Sequence, residues 1–378
     1  MSEQKLPKLL ITTDSFLPRW DGIARFLQHI IPKLAKQYEI TIICPKFEGV
    51  MPEIKNVRLV RVPLSKFRVG DFTLPKFKHG LIKKYVQKTD LVWSQTIGPI
   101  GLLSMALGKR YNKKVFSYVH SIEWELFSKS LKYLKKPVEY LMQTLVPFLY
   151  NKCDAIMIPY PGVRKMLKKR LIFSDMVVVP LGTEVDHFNS LPGKRMSKKL
   201  IGIKEDKFVI GYVGRIGREK DLDTLYRAFR KFNSEYANSK LVIVGGGVPL
   251  KFENMQDIIL IGSTSNVLKY YQAFDVYVLP SLTETTSLTT MEAMSCELPV
   301  IVTPVGYLKE YIKHRENGLV FPQGNSDKLN LFLKKLIKDR QLRMQLGKNA
   351  RKTIVENFTW DKTVQKVEKT LKKFISKK

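Results

Sequence analysis

Leu279-Pro-Ser-Leu-Thr-Glu-Thr-Thr-Ser-Leu-Thr-Thr-Met-Glu-Ala-Met-Ser-Cys-Glu-Leu-Pro-Val300 is the stretch that decides how the chain is read. Apolar runs at Val276–Leu279 and Val300–Val302 flank a polar turn and a short helical segment, the pattern of a parallel-sheet unit. Glu284 and Glu292 stand with seven residues between them. The first falls in the loop after a strand. The second lies about two turns on, in a helix whose Leu288, Met291 and Met294 can face a sheet. In open α/β sheets ligands bind beyond the carboxyl ends of the strands, where helix N-termini present free N–H groups. Two carboxylates staggered there can grip hydroxyls at two points along an extended ligand. Taken alone, the pair is read more plainly as an exposed loop Glu and a solvated helix Glu.

The same alternation extends in both directions. Toward the N-terminus, strand-like runs at 8–13, 40–44, 57–62, 92–93, 115–119, 155–159 and 177–180 alternate with helical patterns at 23–36 and 99–111. A second series runs through 208–213, 241–244, 258–261, 276–279, 300–302 and 319–321, and helices are expected at 328–338, 341–357 and 359–375. Strand and helix in turn signal a parallel sheet covered on both faces. The loop-like, basic 182–199, with Pro192 and Gly193, reads as a linker. The domains expected are thus 1–190, 191–357 and a terminal helix over 358–378. At 378 residues there is room for two full cores.

Three cysteines, Cys44, Cys153 and Cys296, without paired spacing imply a reducing compartment, no disulfide framework and no metal signature. Met1–Lys8 is polar and runs into a strand, so no signal peptide is expected, and no run is apolar enough to span a bilayer. Lys and Arg number 65 against 34 Asp and Glu, a formal charge of +31, which calls for a polyanionic partner: nucleic acid, an anionic membrane or an acidic substrate.

The quoted stretch resembles the retaining glycosyltransferases of family 4, whose fold is α/β, GT-B, with two Rossmann-like domains facing across a central cleft. The family pattern is matched by Pro280-Ser281, Glu284, the small-residue turn Thr285–Leu288, Glu292-Ala293-Met294 and Leu298-Pro299-Val300. Two departures stand out: Ser287 and Glu297 occupy places where Gly is usual. The first narrows the space for a donor sugar, and the second affects a turn. Thr13-Asp14-Ser15-Phe16-Leu17-Pro18, then Gly22-Ile23-Ala24-Arg25, is most similar to the subset that glycosylates lipids.

Gly22 opens a helix after the first strand, where its amides would point at an anion, although there is no G-x-G-x-x-G. The resemblance places it near the donor diphosphate. Gly214-Arg215-Ile216-Gly217-Arg218-Glu219-Lys220 is similar to the family's diphosphate motif, in which Arg215 binds as a planar fork and Lys220 as a point charge. The resemblance implies backbone amides of Thr286, Ser287 and Leu288 on phosphate and sugar, Glu284 on the donor sugar and Glu292 on the ribose. Gly245, Gly247, Gly262 and Ser263 fall in its nucleotide-base region; read as residues, these glycines are turns first. His120 ends a strand; a lone His is more often structural, but the resemblance sets it beside the reacting sugar, with Glu123 a weaker candidate. No nucleophile–base–orienter set is visible, and the family reaction proceeds by front-face departure and attack. Glu284 and Glu292 are therefore not cast as the acid and nucleophile of a hydrolase. No cofactor and no metal are expected, the nucleotide-sugar being a substrate.

Between Arg58 and Lys88 nine Lys or Arg face one acidic residue, Asp71, with Phe67, Phe72, Phe77 and Tyr85 interleaved. Lys129–Tyr150 carries Leu131, Leu134, Val138, Leu141, Leu145 and Leu149 at helical spacing, and Arg164–Arg170 is a third basic cluster. Such surfaces suit an anionic bilayer, or are ordinary solvated faces. The expectation is a cytoplasmic enzyme, peripheral on the membrane, moving a hexose from UDP-glucose or GDP-mannose to a lipid acceptor. Transfer to a polysaccharide or lipid-linked oligosaccharide is the alternative within the class. A nucleic-acid-binding protein is the alternative outside it, and no recognition motif supports it. A nucleotide-sugar epimerase on the same fold is disfavoured by the two motifs occurring together.

Overall fold

A computed structural model describes residues 6–19, 21–51, 53–69, 72–121, 135–191, 193–250, 252 and 255–375. The chain divides into two compact units, Met1–Pro180 with Thr363–Lys378, and Leu181–Lys362. Each is a parallel α/β sheet.

The first unit's sheet is built from β1 (Lys8–Thr12), β2 (Glu39–Pro45), β3 (Val57–Val62), β6 (Leu91–Ser94), β7 (Lys114–Tyr118), β8 (Ala155–Ile158) and β9 (Met176–Val178), in the order β3-β2-β1-β6-β7-β8-β9. Between β3 and β6, β4 (Leu64–Val69) and β5 (Phe72–Pro75) form a separate antiparallel ribbon. Chain order runs outward from β1 through β2 to β3, then outward from β6 on the other side. The crevice between β1 and β6 is therefore the switch point of the sheet. Asp21 caps the helix Gly22–Leu34, whose Phe26 packs against Trp93 and Tyr118. The helix Trp360–Ile375 completes this unit. Val367 and Leu371 are buried, Phe374 meets the Phe116 ring edge-on at 5.5 Å, and Thr363 Oγ1 donates to Pro180 O at 2.8 Å.

The second unit's sheet holds β10 (Phe208–Val213), β11 (Ser239–Val244), β12 (Ile258–Gly262), β13 (Val276–Leu279), β14 (Val300–Val302) and β15 (Leu319–Val320), in the order β12-β11-β10-β13-β14-β15. β10 and β13 are buried throughout, which is why they read as unbroken apolar runs. Here the switch point lies between β10 and β13. The loops that carry Arg215 and Glu284 leave these two strands.

The segment read as a linker contains a helix, Lys194–Leu200. Its Lys198 is 6% exposed and pairs with Asp275 at 2.7 Å, an acidic partner 77 residues away that also accepts the Val209 amide. A local reading sees only the lysines. The helix Lys135–Tyr150 departs from the expected leucine stripe as well. Met142, Val146, Leu149 and Tyr150 are buried, while Leu141 is exposed together with Tyr140 and Phe148. Leu131, Leu134, Glu123 and Asp71 lie outside the described residues, as do the side-chain surroundings of Val138 and Phe72.

Candidate active site

In the second unit, Gly214 follows β10 with φ +152°, and a Cβ there would come within 2.9 Å of the Tyr212 hydroxyl. The turn ahead is held by that hydroxyl, which donates to Arg215 O at 2.7 Å. Arg215 itself is exposed and hydrogen-bonds Glu219 across one turn. Lys220 is better enclosed. Its Nζ lies 2.5 Å from Glu284 Oε1, with side-chain exposures of 16% and 10%. Ser281 Oγ donates to the same Oε1 at 2.9 Å, so both contacts fall on one oxygen and leave Oε2 without either. The Leu282 amide donates to Glu219 O at 2.8 Å and ties the two loops together.

The helix Leu288–Ser295 begins directly after this loop. Ser287 is its N-cap: buried, it accepts from the Thr290 amide at 3.3 Å and from Thr290 Oγ1 at 2.9 Å. No described residue accepts from the amides of Thr286, Ser287 or Leu288. Three acceptorless N–H groups at a helix start, beginning two residues past the glutamate of a lysine–glutamate pair, form an anion-binding arrangement. The second departure from the family pattern is absorbed in a turn, as Glu297 takes φ +57° just past the helix.

Glu292 sits further along that helix, 2% exposed, and its Oε2 accepts from Tyr271 Oη at 2.9 Å. Burial, with the Glu292 charge beside it, raises the Tyr271 pKa, so the phenol stays protonated and is held as a donor. The glycines after β11 serve loop packing. A Cβ on Gly245 would lie 1.9 Å from Gly214 O, and one on Gly247 2.1 Å from Ile216 O. Ile216 N donates to Gly246 O and Val248 N to Ile216 O, which zips the two loops side by side. Gly262 and Ser263 are exposed, with open space at the Gly262 Cβ position. Gly306, a position the sequence reading passes over, packs its backbone onto Glu284 O, where a Cβ would fall at 1.9 Å. The structure thus gathers Lys220, Glu284, Thr286, Ser287 and Leu288 around one loop pair at the switch point. Arg215 is on its open side, Glu292 is deeper in the helix, and Gly245, Gly247, Gly262 and Ser263 lie on the neighbouring strand ends.

In the first unit, space is open beside Gly22, where a Cβ would meet nothing within 4 Å. The amides beyond it are not free for an anion. Asp21 Oδ1 accepts from Ile23 N and Ala24 N, each at 2.9 Å. Asp14 is likewise engaged: its carboxylate accepts from Thr96 Oγ1 (2.6 Å), Ile100 N (2.8 Å), Gly98 N (3.0 Å) and Gly101 N (3.1 Å). Burial outweighs these bonds and raises its pKa above the usual carboxylate range. His120 is half-buried after β7, against Phe26 and Tyr118, with Nε2 2.9 Å from Gln95 Oε1. Burial lowers its pKa to about 3, so the ring is neutral. Tyr271, Asp21 and Gln95 carry no signal of their own in the sequence, and Ser281, although it falls in the matched Pro280-Ser281 pattern, gains its role only through the partner that the fold brings to it. Among the described residues no group of three or more His, Cys, Asp and Glu is placed to hold a metal ion.

Two Rossmann-like α/β units, the second with a cation–carboxylate pair at its switch point, define a GT-B glycosyltransferase architecture. Residues 194–353 match the family model "Glycosyl transferases group 1", and residues 20–187 match "Glycosyltransferase Family 4". The chain belongs to this glycosyltransferase family. It is 25% identical to the alpha-monoglucosyldiacylglycerol synthase of Acholeplasma laidlawii over 373 residues, 90% of each chain. It is 28% identical to the capsular polysaccharide biosynthesis glycosyltransferase CapM of Staphylococcus aureus over 247 residues. That match covers 61% of this chain and less than two thirds (63%) of CapM's own length. The structure of HepE from Anabaena, solved with UDP, superposes with a TM-score of 0.77 at 15% identity, covering 97% of this chain and 100% of that one.

Proposed function

We propose that the protein is a hexosyltransferase that moves a sugar from a nucleotide-sugar donor to a membrane lipid. The observation carrying this reading is the Lys220–Glu284 pair beside the acceptorless amides of Thr286, Ser287 and Leu288. When a sugar–phosphate bond breaks, negative charge develops on the departing diphosphate. An ammonium, an adjacent guanidinium and aimed N–H groups stabilise that charge without reorganising. In this reading Lys220 and Arg215 supply charge that a metal would otherwise bring. Glu284 Oε2 accepts from a donor-sugar hydroxyl, and Glu292, oriented by Tyr271, is assigned to the ribose.

The lipid acceptor is supported by the surface of the first unit. Phe67 (76% exposed), Phe77, Tyr140 (76%) and Phe148 are exposed within the first two basic stretches, and Phe173 is exposed just after the third. Apolar tips with cations worth about 1 kcal/mol each near an anionic leaflet favour peripheral docking. No helix among the described residues is long and apolar enough to cross a membrane. The likeness to the diacylglycerol glucosylating enzyme agrees with this, whereas the likeness to CapM favours a polysaccharide acceptor as the second reading.

The test is incubation of the chain with radiolabelled UDP-glucose or GDP-mannose and anionic vesicles containing diacylglycerol. Label extracted with the lipid is expected. Label only in water-soluble oligosaccharide, or no transfer from either donor, would overturn the lipid assignment.

A further inference from the structure

We propose that Gln95 is a positioning residue that fixes His120 with its proton on Nε2, so that Nδ1 accepts a hydrogen bond from a substrate hydroxyl. The identity of that hydroxyl rests on the function proposed above; the tautomer does not. A neutral imidazole has one donor and one acceptor nitrogen, and the bond made by one nitrogen decides the role of the other. Gln95 is 1% exposed at the end of β6, with its backbone amide bound to Thr12 O at 2.8 Å across the switch point. Its Oε1 can only accept, so at 2.9 Å the proton belongs on His120 Nε2. Nδ1 bonds to no described residue and is not among the buried unpartnered atoms, so it reaches the surface.

The ring has little freedom to turn. Phe26 meets it edge-on at 4.9 Å and Tyr118 lies against it at 4.4 Å, anchored by its hydroxyl on Val179 O at 2.7 Å. The carboxylates of the loop after β1, Asp14 and Asp21, are both committed to helix amides. A neutral amide is therefore what the fold offers this ring. A carboxylate there would favour a doubly protonated imidazolium and remove the acceptor. The Gln95 Nε2 group is itself buried without a hydrogen-bond partner among the described residues.

The test is long-range 15N–1H NMR on the full chain labelled with 15N-histidine. Only five histidines contribute, and His120→Gln assigns the resonance. The expected wild-type spectrum is a neutral His120 protonated on Nε2. Gln95→Met should mix the tautomers and lower kcat for transfer by about a hundredfold with KM for the donor little changed. Gln95→Glu should drive the ring toward the imidazolium, protonated on both nitrogens, and remove the Nδ1 acceptor. An Nδ1-protonated ring in the wild type, or an unaltered tautomer in Gln95→Met, would overturn the proposal. Expected spectra from a protein that turns over no nucleotide-sugar would sink the functional reading and leave the tautomer standing.

Discussion

Lys220 and Glu284 are each almost enclosed, and neither has a second side chain of opposite charge within the ion pairs described. Removing one leaves the other charged and poorly solvated. Lys220→Met is therefore expected to lower stability by about 3 kcal/mol, with the double variant Lys220→Met/Glu284→Gln recovering part of that loss. Denaturant melts of the three proteins check this. If the pair also meets the departing diphosphate, kcat should fall by about a hundredfold in Lys220→Met even where the protein is fully folded. Full activity in that variant would remove Lys220 from the site. Both residues can be picked out in the sequence because they sit in short motifs. Ser281 shares the motif of Glu284 and Tyr271 does not, yet nothing in either residue says that its hydroxyl will meet a carboxylate 3 or 21 residues away.

Among the elements, the helix Leu288–Ser295 shows what a family departure does physically. Ser287 caps it with a hydroxyl, where a glycine would leave the Thr290 amide without that acceptor. Ser287→Ala should cost about 1 kcal/mol in thermal or denaturant unfolding, and Ser287→Gly only a few tenths by the usual ranking of caps. Equal losses would mean that the cap bond contributes nothing. The strands were legible wherever both faces are buried, as in Phe208–Val213, because such strands reduce to apolar runs. The ribbon of β4 and β5 was not legible, since Lys66, Phe67 and Arg68 are all exposed and leave no buried face to set a period. The helix Lys194–Leu200 was hidden for the opposite reason: a lysine is neutralised and buried by a residue far along the chain.

At the scale of the molecule, the chain returns to its first unit at the end. The helix Trp360–Ile375 buries Val364, Val367 and Leu371, and Gln37 Nε2 donates to Glu368 Oε1 at 2.7 Å. Deleting 363–378 should expose this seam and lower the first unfolding transition by several kcal/mol, about 1.5–3 for each large apolar side chain lost. Calorimetry should show the second unit's transition largely unmoved, and equal losses in both would argue against the division. The excess of basic residues was plain from composition, yet which of their apolar neighbours face solvent was not. Leu149 is buried and Leu141 exposed on one helix, because the buried stripe runs through Met142, Val146, Leu149 and Tyr150 and not through the leucines alone.

The most direct measurement is thermal unfolding of the full chain with UDP, GDP, and the matching monophosphates and nucleosides. A site built on cations and helix amides at a pyrophosphate should give one diphosphate a rise of roughly 5 °C or more at a hundredfold excess over its Kd. The matching monophosphate should do far less, and Lys220→Met should abolish the difference. Equal effects of diphosphate and monophosphate, or none from any nucleotide, would contradict the account.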